Sequence, residues 1–76
     1  MGTDMDEDYL KMLGARIRER RLAQGLSQDR LALMIGSSKG KSYISRIERG
    51  KCNISIGVLY RIAKALGTKV ADLIDF

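Results

Sequence analysis

Leu10, Leu13, Ile17 and Arg21 recur at steps of three and four residues, which places them on one face of a helix. The periodicity predicts a first helix from about Asp6 to Gln24, with Gly25 just past its end. Arg21 continues the apolar stripe, so its guanidinium is expected to meet the core and to need a carboxylate partner. Ser27 is a good N-cap for a second helix that runs to Ile35, with Gly36 as the stop. A third helix starts within Ser38–Ser42 and ends at Arg49-Gly50, followed by a Lys51-Cys52-Asn53 loop. The fourth, from about Ser55 to Leu66, buries Leu59, Ile62, Ala63 and Leu66 and stops at Gly67. Thr68 is placed to cap a last short helix holding Val70, Leu73 and Ile74, with Leu73 pointing inward. Short Gly-bearing turns join these elements, with no linker, repeat or low-complexity run. The pattern is all-α: a compact five-helix domain.

Composition narrows this further. The 76 residues suffice for one small domain, with a stability of about 4–11 kcal/mol at the usual per-residue value. Cys52 is the sole cysteine, so an internal disulfide is excluded, and with no histidine a Cys/His zinc site is excluded too; no metal and no cofactor are expected. Cys52 reads as a semi-exposed loop residue. No apolar run approaches the ~20 residues of a membrane span, and the acidic N-terminus does not resemble a signal peptide, so the expected location is cytoplasmic. Met1-Gly2 begins like a myristoylation signal, but Asp6 stands where that pattern wants Ser or Thr.

Charge is unevenly spread. Residues 1–12 carry four acids (Asp4, Asp6, Glu7, Asp8) against Lys11, whereas residues 13–76 carry thirteen bases against five acids. The first stretch therefore reads as an acidic, partly helical extension, and 13–76 as the functional domain. A basic body favours a polyanionic partner. The excess concentrates between Arg16 and Lys51, where ten Lys/Arg face only Glu19, Asp29 and Glu48. Two short helices with a polar, basic connector in that stretch are what a protein needs to lay one helix into the DNA major groove and brace it with the other.

The residues L-G-A-R-I-R-E-R-R-x-x-x-G-L-S-Q (Leu13 to Gln28), Leu31-Ala32, Y-I-S-R-I-E-R-G-K (Tyr43 to Lys51) and L-x-x-I-A-K-A-L-G (Leu59 to Gly67) resemble the lambda-repressor-like helix-turn-helix family, also called the xenobiotic response element family. The resemblance covers roughly residues 13–74. It implies five helices, a DNA-reading third helix, and binding usually as a homodimer to a near-palindromic site. The chain departs from the family in three places. The Gly36–Ser42 turn looks about two residues longer than usual. Ile54 stands where many members have proline, and the N-I-S there is similar to some restriction–modification controller proteins. Leu33 and Met34 occupy positions that are commonly charged.

On the third helix, Lys41, Ser42, Ser45 and Arg46 fall within an arc of about 140°, opposite Ile44 and Ile47. Lys and Arg can read guanine O6/N7, and Ser can donate to or accept from several base edges, so these four are the candidate base readers. Gln28, Lys39, Tyr43, Arg49, Lys51 and Asn53 are the candidate phosphate contacts. The resemblance implies that Gln28 also steadies a neighbouring recognition side chain. Tyr43 could instead pack on the first helix. Glu48 sits at the edge of the buried face and is the natural partner of Arg21, a pair that the resemblance also implies. Ile56, Val70, Ile74 and Phe76 are the candidate dimer interface, since the last residues hold more apolar side chains than a short helix can bury. The alternative is that Phe76 closes the monomer's own core.

Gly36-Ser37-Ser38-Lys39-Gly40-Lys41-Ser42 mimics a phosphate-binding loop, but only three residues separate its glycines and no βαβ unit surrounds it. Nucleotide binding is therefore set aside. No catalytic constellation is present, and the expected function is non-enzymatic: a transcriptional regulator that binds double-stranded DNA, acting most simply as a repressor. A controller protein and an antitoxin-type autoregulator lie within that class. A protein-interaction adaptor is the alternative of another class. An RNA-binding module is disfavoured because Tyr9, Tyr43, Tyr60 and Phe76 form no stacking platform.

Overall fold

A computed structural model describes the chain from Thr3 to Phe76, with side chains from Asp8 onward. The five helices are α1 (Thr3–Ala23), α2 (Gln28–Met34), α3 (Gly40–Glu48), α4 (Ile56–Ala65) and α5 (Val70–Leu73). α1 runs without a break across the expected boundary between residues 12 and 13. The side chains of Asp4, Asp6 and Glu7, on which the expectation of an acidic extension rests, lie outside the described residues, as does Met1-Gly2.

Local chemistry sets most helix ends. Ser27 Oγ accepts from Arg30 N at 3.0 Å and Ser55 Oγ from Val58 N at 3.1 Å, satisfying backbone donors that the first turns of α2 and α4 leave free. At the end of α1, Leu26 N donates to Arg21 O and Gly25 N to Leu22 O, a paired closure that requires the left-handed φ of +71° at Gly25. α2, α3 and α4 close with the same two bonds, at Gly36, Gly50 and Gly67. That closure corrects one expectation. Thr68 donates its backbone N–H to Ala63 O in the closure of α4, so the N-cap of α5 falls one residue later, at Lys69. The Thr68 hydroxyl instead donates to Asp72 Oδ2 at 2.8 Å, and the same oxygen accepts from Lys69 N at 3.2 Å.

One core joins all five helices. Leu13 and Ile17 of α1 meet Leu31 and Ala32 of α2, Ile44 and Ile47 of α3, Leu59, Ile62 and Ala63 of α4, and Leu73 of α5. α2 and α3 pack against each other, and α1 crosses the end of α3. Gly14 permits that crossing: a Cβ there would lie 2.6 Å from Glu48 O and closer still to Ile47 O. Any larger residue at position 14 would drive α1 and α3 apart. Arg16 ties α1 to the far end of the chain, donating from Nη1 to Asp72 O at 2.7 Å and to the Asp75 carboxylate. Among the described residues no helix is long and apolar enough to cross a membrane.

Candidate nucleic-acid interface

With Ile44 and Ile47 buried in the core, the opposite face of α3 is left to solvent. Lys41, Ser42, Ser45 and Arg46 stand on it, and together with Gln28 and Arg49 they line one open groove between α2 and α3. Among the described residues the groove holds three cations and no carboxylate. Hydroxyls and cationic heads side by side on one helix suit base edges and the phosphates beside them.

Beneath the groove lies an ion pair. Arg21 Nε donates to Glu48 Oε2 at 2.6 Å and Nη2 to Oε1 at 3.0 Å, with both residues buried. Arg21 Nη1 donates to Leu26 O at 2.7 Å. The hydrogen bond to Glu48, and its negative charge, hold the Arg21 guanidinium above its ordinary pKa against the opposing effect of burial. Gln28 Nε2 donates to Glu48 Oε1 at 3.1 Å. The half-buried Gln28 is thereby fixed at the groove's edge by a carboxylate in the core, a contact that the sequence pattern did not indicate.

The remaining expected phosphate contacts spread around α3. Lys39 is the N-cap of α3, and its Nζ lies 4.9 Å from the centroid of the Tyr43 ring. Tyr43 packs against the core and lines a cleft with Ile35, Val58 and Arg61, towards α4. Arg49 Nε donates to Ser45 O at 3.3 Å, and Lys51 is exposed just past the end of α3. Asn53 stands apart from the groove, beside Tyr9, Leu10, Ile54 and Ile56.

The expected interface residues differ in exposure. Ile56 is 73% exposed and Ile74 is exposed, whereas Val70 is half-buried against the core. Phe76 turns onto α1: its ring centroid lies 5.2 Å from that of Tyr9, with the Arg16 guanidinium 6.0 Å away, yet it remains 40% exposed. Tyr9 also lines the groove that holds Ile56, so it borders both side chains. Leu33 and Met34 are exposed on α2.

A buried α2–α3 pair presenting a basic, hydroxyl-bearing helix face defines a helix-turn-helix protein of the DNA-binding regulatory class. The family description for helix-turn-helix proteins matches residues 17–73, and the chain belongs to that family. It is 39% identical over 73 residues to control protein C.BamHI of Bacillus amyloliquefaciens, covering 95% of this chain and 88% of that one. Control protein C.SmaI of Serratia marcescens is 34% identical over 67 residues, covering 88% of this chain and 77% of that protein. The crystal structure of the restriction–modification controller protein C.AhdI from Aeromonas hydrophila superimposes with a TM-score of 0.78 at 39% identity, covering 84% of this chain and 94% of that one.

Proposed function

We propose that this regulator binds double-stranded DNA as a homodimer, in the cytoplasm, by placing α3 of each protomer in successive major grooves about 34 Å apart. Lys41, Ser42, Ser45 and Arg46 face base edges in this reading, while Gln28, Lys39, Arg49 and Lys51 hold phosphates. The observation that carries it is one groove, free of acids among the described residues, in which all four base-reading candidates meet Gln28 and Arg49. Binding is the whole activity, with no catalytic step. Regulation follows from occupancy of promoter DNA, and repression is the simplest outcome. Similarity to three controller proteins supports a regulatory role of the controller kind.

The test is an electrophoretic mobility shift against DNA from upstream of the protein's own coding sequence, repeated across salt concentrations. Six to eight phosphate contacts per dimer correspond to a log–log slope of about −5 to −7. A slope shallower than about −2 would exclude this mode of binding and favour the adaptor reading.

A further inference from the structure

A helix in the major groove has a sugar–phosphate strand on each side of it. One edge of the α3 reading face lies beside Glu48, where Gln28 is held. The other edge is marked by Tyr43, about 60° around the helix from Arg46. Beside Tyr43 lies a cleft between the Gly36–Lys39 turn and α4, lined by Ile35, Ser37, Ser38, Lys39, Val58 and Arg61 as well as Tyr43. Among the described residues its charged lining consists of Lys39 and Arg61, with no carboxylate. Neither cation takes part in an ion pair among the described residues. Lys39 is steadied over the Tyr43 ring, and its backbone N–H donates to Ser37 Oγ at 3.1 Å.

We propose that this cleft grips a backbone phosphate of the DNA strand on the Tyr43 side of α3, with Arg61 of α4 as a DNA-contacting residue alongside Lys39. The proposal rests on the DNA-binding reading above and extends it. Two cations and two serine hydroxyls suit a phosphate's charge and its acceptor oxygens. The Gly36–Lys39 turn brings Ser37, Ser38 and Lys39 alongside α4, so that the helix behind the helix-turn-helix reaches the duplex. The contact is to backbone and carries no base preference.

The experiment measures affinity for a fluorescein-labelled duplex of mixed sequence against salt, for wild type, Arg61→Ala, Arg61→Lys and Lys64→Ala. Lys64 is the comparison because it is exposed on the same helix but outside the cleft. Arg61→Ala should reduce the steepness of the log–log slope by about 0.9 per bound protomer, with Arg61→Lys retaining it and Lys64→Ala leaving it unchanged. Thermal melting by circular dichroism should be the same for all four proteins. An unchanged slope in Arg61→Ala, or an equal loss in Lys64→Ala, overturns the proposal. So does a cleft that serves a free phosphorylated solute: inorganic pyrophosphate would then raise the melting temperature of wild type but not of Arg61→Ala, with DNA binding equal in both. A wild type with a shallow slope would instead defeat the DNA-binding reading itself.

Discussion

Arg21 of α1 and Glu48 at the end of α3 face each other side by side, two nitrogens on two oxygens, although 27 residues separate them in the chain. The pair closes the core directly under the groove that Gln28 lines. Replacing one partner leaves the other charge buried and unsatisfied, which costs far more than the pair itself contributes. Glu48→Ala should destabilise the fold by about 3–5 kcal/mol, a large share of the stability expected for a chain of this size. Chemical denaturation of the wild type and the variant measures this. A midpoint that does not move would show that the pair carries no stability.

The face of α3 and its flanks should separate into two kinds of effect. Arg46→Ala should relax sequence preference, costing about 1–3 kcal/mol at the base it reads while leaving binding to unrelated DNA nearly intact. Lys51→Ala should weaken all DNA alike. Competition between a selected operator and mixed-sequence DNA distinguishes the two. Equal losses on both DNAs for Arg46→Ala would move base reading elsewhere.

Periodicity and end chemistry made much of the fold legible. Ser27 acts on backbone three residues away, and the closing glycines act within one turn, so a local reading reaches them. Arg21 was legible as a buried cation because it falls in line with an apolar stripe. Thr68 was misread because two local roles compete for it, and the closure of α4 takes precedence. The link from Arg16 to Asp75 has no sequence signal, since 59 residues separate the partners and both belong to surface-type positions. Arg61 is hidden for a similar reason: on α4 alone it is one more exposed cation, and only the docking of the Gly36–Lys39 turn gives it neighbours.

Self-association should depend on the apolar surface around Tyr9. Ile56 and Phe76 border that ring from the α4 and C-terminal sides, and Ile74 is exposed nearby in sequence. Sedimentation at micromolar concentration should show a dimer in the wild type and a shift towards monomer in Ile74→Asp and Phe76→Ala. A monomeric wild type, or a dimer indifferent to both changes, would place the two-fold contact elsewhere or make it dependent on DNA.

Asp72 gives the C-terminal turn an acid sensitivity. The Thr68 hydroxyl, then the Lys69 N–H, hold its carboxyl below the ordinary carboxylate pKa. Because the folded value is the lower one, the stabilisation is fully present above the unfolded-state value, near 3.9, and is lost as the pH falls through the folded value. Urea denaturation at neutral pH and in strong acid should show Asp72→Asn less stable than wild type at the first and converging on it at the second. A difference independent of pH would contradict this.

Gly14 has a consequence for how specificity can change. The rod from Lys41 to Glu48 is about 10 Å long, and its far end rests directly on the backbone of α1 where no side chain intervenes. An alanine there gains about 1 kcal/mol in helix propensity, yet its methyl would meet carbonyl groups that cannot yield without moving the rod. Gly14→Ala should therefore lower the melting temperature despite the better helix former. A push of about 1 Å at that seat swings the rod by about 5°, a shift of about 1 Å of one end relative to the other. The seat works as an angular stop, so a buried residue with no side chain of its own sets the tilt at which the exposed face of α3 is presented.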